Sequence, residues 1–434
     1  MAIYLLTNSV QNYAWGSSTA IPALLGEAPE DGTPVAELWM GSHPKAPSHL
    51  SRNGKSVSLL TFIRDDPEGA LGERVFAEFG AELPYLFKVL AADRALSIQS
   101  HPTREQAVEG FAREESAGIP IDSPVRNYRD ANHKPELICA LTEFWGMRGF
   151  RPAADIAADL QAVDGDTARM LVRLLGRRSE SDALRGFLET LLGLPAAEVA
   201  TLVAAAVTYA ERQWSSYRSQ GVPEPFSSSS GNPARLVRED YSKLPQRFFW
   251  LLQIARDYPD DVGVLGPLYL NTVQLNPGDA TYLSAGVLHA YLRGTGIELM
   301  ANSDNVLRGG CTAKHIDVPE LLRTARFVSE PPRILRPEGS LPQWYRSGAR
   351  EFMLSVVEVG TAEAALQLSG EGPKIVLATS GYLTLMEESA SDRGTGAPLT
   401  LRKGQSAFVP DEAGTVTVSG VGRGYVAAVM ETPS

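Results

Sequence analysis

Leu83-Pro84-Tyr85-Leu86-Phe87-Lys88-Val89-Leu90, followed by Leu96-Ser97-Ile98-Gln99-Ser100-His101-Pro102, is the stretch on which the fold turns. Its apolar runs are short and bounded by Pro and polar residues, so it reads as a pair of short buried strands. Gln99 and His101 stand two apart after the second run, a spacing that puts both side chains on one face of a strand. Downstream, Leu137 to Leu141 and then Phe144-Trp145 read as another strand and turn, which Glu136 enters from Asn132-His133-Lys134-Pro135. His289 follows Gly286-Val287-Leu288 at the end of a turn–strand unit. One Gln oxygen, two imidazoles and one carboxylate would make a four-ligand site suited to zinc, with room for water or substrate. Spacing alone leaves this set open: the two-apart pair is common, and a surface Glu136 with a strand-capping His289 is the plainer alternative.

Outward from these strands the texture is β-rich to about Phe150 and changes after Pro152. Leu184, Phe187, Leu188 and Leu191 fall at i, i+3, i+4 and i+7, one face of an amphipathic helix, with Ser181 and Asp182 as expected N-caps. Pro195 stands where the next helix would start, running through Val199, Leu202, Val203 and Ala206. Gly221 to Pro233, with serines at 227–230, reads as a loop, and Phe248 to Ile254 as a further apolar helix. Strand texture returns near Leu265, with a turn at Asn276-Pro277-Gly278-Asp279 before Thr281-Tyr282-Leu283. Beyond about Arg326, alternation at Phe352, Leu354 and Val356, at Leu383 and Leu385, and at Val416 and Val418 reads as a second β region, with a polar linker from Glu387 to Pro398. That region holds none of the six histidines and is expected to be structural. The expected layout is a β-rich catalytic domain (1–150 and 262–325), a helical insertion (151–261) and a C-terminal antiparallel β domain of sandwich or jelly-roll type (326–434).

At 434 residues the chain exceeds one ordinary core. Its 44% hydrophobic and 21% charged residues are those of a folded protein. A net charge of −11 disfavours nucleic acid and anionic membranes, while a few basic side chains in one cleft can still bind a small anion. Two cysteines, Cys139 and Cys311, cannot make a disulfide framework and point to a reducing compartment. No apolar run reaches the roughly 18 residues a membrane span needs, and Ile3 to Leu6 is too short for a signal peptide. A cytoplasmic location follows as the expectation.

Several segments, in order, resemble the type I mannose-6-phosphate isomerase family. These are Gln11-Asn12-Tyr13-Ala14-Trp15-Gly16, Glu37-Leu38-Trp39-Met40-Gly41-Ser42-His43-Pro44, the stretch quoted first, Tyr128-Arg129-Asp130-Ala131-Asn132-His133-Lys134-Pro135-Glu136, Glu298 to Arg308, and Lys314-His315-Ile316-Asp317. The resemblance implies a cupin-type catalytic domain with an all-helical insertion and a further jelly-roll domain. It implies one zinc ion per chain on Gln99, His101, Glu136 and His289, and a small phosphorylated sugar as substrate. Arg308 matches the family's catalytic arginine, expected beside an enediolate. Lys134, His133 and Asp304 fall at pocket positions: Lys134 or His133 would carry the proton, and Asp304 would orient it. Lys314 and Ser100 are expected to contact substrate, with Lys314 at the phosphate. A monomer without macromolecular partners is expected. Read without the resemblance, His and Glu ligands would also suit an iron oxygenase or a sugar-binding module. The Gln ligand and the basic residues favour zinc and a phosphorylated sugar.

Overall fold

Every residue of the strand Tyr85–Ala92 is buried, because it is covered on both faces. Alternation sends Tyr85, Phe87, Val89 and Ala91 to one side, where they meet Tyr345, Phe352, Leu354, Ile375 and Tyr425 in one core. Leu90 and Ala92 turn the other way and pack with Ile138, Phe144, Val273 and Tyr291. The computed structural model that shows this describes residues 3–28, 32–176, 179–227, 241–361, 365–388 and 397–430. Among them are two large antiparallel sheets, of 11 and eight strands, and 12 α-helices.

The larger sheet is organised by the 13-residue strand His289–Ala301. Its C-terminal half pairs with Tyr85–Ala92 and Glu136–Ala140. Its N-terminal end pairs with Phe144–Phe150 and, at His289, with Gln99. The register shifts between Tyr291 and Arg293, and Gly294 follows at φ 130°. A Cβ on Gly294 would sit 2.6 Å from the Glu143 carbonyl oxygen, so only glycine allows the bend that lets one strand serve both halves of the sheet.

In the second sheet, Lys374–Glu387 and Val416–Ala428 pair along most of their length. Val376, Leu383, Val416, Val418 and Val426 fill that sheet's own interior, while Ile375, Leu377 and Tyr425 face the first sheet. Two pairings join distant parts of the chain. Tyr4–Leu6 adds to Ser406–Val409, and Ile334–Leu335 adds to Ala280–Leu283 of the first sheet.

Between Ala153 and Tyr269 the regular structure of the described residues is helical. Leu184, Phe187, Leu188 and Leu191 form the buried face of Glu180–Leu192, as their spacing predicts. The N-cap, however, is Ser179, whose hydroxyl accepts the Asp182 N–H at 3.1 Å. Ser181 and Asp182 lie inside the first turn, where an acidic side chain complements the exposed N–H groups. Pro195 does precede the long helix Ala196–Ser219, and Gln246–Asp257 covers the expected Phe248–Ile254. Ser228–Ser230 of the serine run and most of the Glu387–Pro398 stretch lie outside the described residues.

The helices dock on the strands Phe144–Phe150 and Leu270–Leu275 through Phe150, Phe187, Phe248 and Tyr269. A buried polar cluster fixes the same junction. Asp159 accepts from Arg151 at 2.7 Å, from Arg247 at 3.0 and 3.1 Å, and from the Tyr209 hydroxyl at 2.9 Å. Burial pushes the Asp159 carboxyl up, but Arg247 and Arg151 more than reverse this, so its pKa is lower in the fold than in the unfolded chain. Its contribution to stability is therefore complete at neutral pH and is lost only as the pH falls below about 4. Asp159→Asn removes the charge of the buried carboxylate that Arg151 and Arg247 share. It is expected to lower the free energy of unfolding by about 3 kcal/mol at pH 7, read by urea titration, and by up to about 1 kcal/mol less at pH 3, where the unfolded carboxyl is mostly protonated.

Candidate metal centre

Gln99 sits at the middle of a row of three strands: its antiparallel partner is His289 on one side and Arg308 on the other. Directly opposed residues point to the same face, so pairing alone brings Gln99, His289 and Arg308 together. His101 follows Gln99 on that face. Glu136 enters at the start of its own strand, where it is paired with Met300 of the long strand.

The three side chains His101, Glu136 and His289 converge, with ligand atoms all within 4.8 Å of one another. The two carboxylate oxygens divide between the rings: Oε1 lies 3.3 Å from His101 Nε2, and Oε2 lies 3.3 Å from His289 Nε2. Each ring's other nitrogen is committed to the backbone, His101 Nδ1 to the Asn305 carbonyl at 2.8 Å and His289 Nδ1 to the Val287 carbonyl at 2.9 Å. A carbonyl only accepts, so Nδ1 carries the hydrogen and each Nε2 presents a lone pair. Both Nε2 atoms and Glu136 Oε2 are buried without a hydrogen-bond partner. Stranded polar atoms of this kind cost roughly 1–3 kcal/mol each. A divalent ion at their centre would satisfy all three at once, with Gln99 beside it, and this donor set suits zinc.

The protonation states match. Burial holds the His101 pKa down to about 4, against the pull of Glu136. Burial also raises the Glu136 carboxyl, but Lys134, whose Nζ is 2.7 Å from Oε1, and His101 bring it well below the usual carboxylate range.

This centre opens onto a cleft of about 350 Å³ whose walls include Gln99, Lys134, Glu136, Tyr291, Arg308 and Lys314. Burial and then Arg129 lower the pKa of Arg308, and burial and then Arg308 lower that of Lys314. Among the described residues neither has an acidic ion-pair partner, so the positive charge at this end is uncompensated. A larger groove, of about 820 Å³, lies between Ala196–Ser219 and Gln246–Asp257, away from this chemistry.

Three of the expected residues lie elsewhere. Ser100 stands between Gln99 and His101 in the strand, is fully buried, and so faces the opposite side. His133 Nε2 is 2.6 Å from Glu351 Oε1, which turns its ring away from the cleft. Asp304 accepts from Lys45 Nζ at 2.6 Å and lies 3.6 Å from His43 Nε2, rather than against Lys134 or His133. Conversely, the cleft floor carries a charged group that sequence reading did not single out. Lys88 Nζ lies 3.0 Å from Glu298 and 3.6 Å from Glu37, and 5.1 Å over the Trp39 ring. The signal was a lysine in the middle of an apolar strand. Asn305 was also missed: its side chain bonds the Arg129 N–H at 2.7 Å and the Asp130 and Asn132 carbonyls at 2.8 Å, steadying the carbonyl that holds His101.

Residues 3–153 match the family model described as phosphomannose isomerase type I, catalytic domain. Over 422 residues the chain is 40% identical to the mannose-6-phosphate isomerase of Salmonella typhimurium, spanning 96% of this chain and 97% of that protein. It is 38% identical over 427 residues to the mannose-6-phosphate isomerase of Escherichia coli, with the same shares covered. A crystal structure of mannose 6-phosphate isomerase from Salmonella typhimurium, bound to substrate and zinc, superposes with a TM-score of 0.83 at 36% identity, covering 99% of this chain and 100% of that one.

Metal is expected to contribute to stability as well as to chemistry, because it binds a site assembled only in the fold. Chelation should lower the thermal midpoint and zinc should restore it. His289→Ala should lose zinc on dialysis, as read by elemental analysis, and its midpoint should no longer respond to chelator.

Proposed function

The chain belongs to the type I phosphomannose isomerase family, and from that premise we propose that this cleft interconverts mannose 6-phosphate and fructose 6-phosphate through a cis-enediol(ate). The observation that carries this reading is one cleft with three stranded ligand atoms at one end and two unpaired cations at the other. Relatives matched over 96% of the chain support an isomerase over an iron oxygenase or a simple binding module. The two antiparallel sheets and the helical segment between them support a cupin-type domain over 1–150 and 262–325, a helical insertion over 151–261 and a jelly-roll domain over 326–434. The strand Tyr4–Leu6 then crosses over to the last of these.

The enzyme uses zinc, held by His101, Glu136 and His289, with Gln99 as the fourth protein ligand in this reading. When bound, the ion supplies Lewis acidity and a template for the oxygens on C1 and C2. Isomerisation moves a proton between those carbons while the carbonyl changes place, so negative charge develops on oxygen. The Arg308 guanidinium stands in the ligand row and would meet that charge with two parallel donors. Lys134 is the expected proton carrier that lines the cleft, and its ammonium also holds Glu136 in its charged form. Lys314, partly desolvated and unpaired, would take the phosphate. The buried Tyr291 and Leu90 and the partly buried Leu96 line the cleft and limit water around the reacting carbons.

Turnover of mannose 6-phosphate should disappear on chelation and return with zinc. In deuterium oxide the product should carry solvent deuterium on the carbon that receives the proton; retention of all substrate hydrogen over many turnovers would argue for a hydride shift instead. Arg308→Ala should lower kcat by roughly 100-fold with little change in KM, as loss of a transition-state donor does. A rise in KM alone would remove Arg308 from that role.

A further inference from the structure

Lys314 belongs to a short turn, Cys311 to Lys314, that lines the cleft just after the strand Leu307–Gly310. That turn is not held by the sheet. Its anchor comes from the other side of the helical segment, where the chain leaves Gln246–Asp257. The Asp261 carboxylate accepts three backbone N–H groups: Oδ1 from Gly263 at 2.7 Å and from Cys311 at 2.8 Å, and Oδ2 from Thr312 at 3.2 Å. The Thr312 hydroxyl in turn accepts the Lys314 N–H at 3.1 Å.

The backbone is shaped for this contact. Gly310 lies at φ 142° and Cys311 at φ 54°, so the chain turns sharply at this point. A Cβ on Gly310 would come within 2.7 Å of the Gly263 Cα, and one on Gly263 within 2.4 Å of the Cys311 nitrogen. Two glycines therefore let the turns meet back to back, with one carboxylate bridging them. Arg308 needs no such support, because pairing with Gln99 fixes it in the sheet.

We propose that Asp261 is a positioning residue: from the helical segment it fixes the Cys311–Lys314 turn, and thereby the ammonium that receives the substrate's phosphate. The proposal rests on the phosphate-binding reading of Lys314. It separates two functions along one short segment, Arg308 set by strand register and Lys314 set by Asp261.

The test is Asp261→Asn, which keeps the shape and Oδ1 but turns the group facing the Thr312 N–H from acceptor to donor. KM for mannose 6-phosphate and the inhibition constant of inorganic phosphate should both rise by about tenfold, the equivalent of one well-placed charged hydrogen bond. kcat should stay within about twofold and zinc content should not change. General loosening would instead lower the active fraction and leave KM alone, and that result, like unchanged constants, would overturn the proposal. Lys314→Ala is measured in parallel. If it leaves KM and phosphate inhibition unchanged, the phosphate reading itself fails; if it raises both while Asp261→Asn does not, only the role of Asp261 fails. Should Asp261→Asn not fold, Asp261→Ser, smaller and neutral, is read the same way.

Discussion

Glu136 is a carboxylate with 1% of its surface exposed, and the interior around it is arranged to keep it charged. Removing an anion from water costs several kcal/mol even after relaxation, so a buried one requires close, well-directed partners. Lys134 supplies one at 2.7 Å. The rest of the local charge does not balance: Glu37, Glu136 and Glu298 face only Lys88 and Lys134 as buried ammoniums. The strain is visible at Glu298, whose carboxyl is raised by burial, and by Glu136 and Glu37, despite Lys88 beside it. A divalent ion at Glu136 reverses the sign of that imbalance. The metal is thus part of the electrostatics of the whole floor as well as a reagent.

Placing those charges is a problem of chain geometry, which the bent strand His289–Ala301 solves. Its first residue gives an imidazole, its third gives Tyr291 and, past Gly294, it gives Glu298. Because it pairs with four other strands, register sets Gln99 opposite His289, Glu136 opposite Met300 and Lys88 opposite Glu298. Packing the outer face of the same sheet against the second sheet leaves the inner face free to be polar. The apolar area that stabilises the fold lies largely outside the cleft, with Tyr85, Phe87 and Val89, so Lys88 between them can serve the site.

What the sequence revealed follows from that geometry. Gln99 and His101 were legible because period-two alternation is a local property, and the helix face at 184–191 because period 3.6 is too. Glu136, His289 and Arg308 came from the resemblance, since nothing local brings residues so far apart in sequence into one row. Reading a motif as a block is what misleads: Ser100 and His133 sit beside ligands or pocket residues in sequence yet point elsewhere, one into the interior and one to Glu351. The N-cap moved to Ser179 because any of three nearby polar residues could cap, and only backbone geometry chooses. The pairing of Tyr4–Leu6 with Ser406–Val409 has no local signal at all, because its register depends on contacts made some 400 residues away.

The division between Arg308 and Lys314 has a catalytic logic. Interactions with a remote, non-reacting group accelerate a reaction only when they are spent on orienting the reacting one. On the roles proposed for them, the group that would hold the phosphate must be rigid relative to the group that would meet the enediolate. Strand pairing gives Arg308 such rigidity directly. A turn beyond the end of a strand has none of its own, and Asp261, bonded to backbone on both sides, supplies it from a separately packed element. The helical segment is thus tied to the cleft at two places, through this carboxylate and through Tyr258, which lines the cleft and donates to the Ala95 carbonyl at 2.8 Å. On the proposed roles, helices between two strands of one sheet would in this way set substrate geometry while contributing none of the proposed metal ligands.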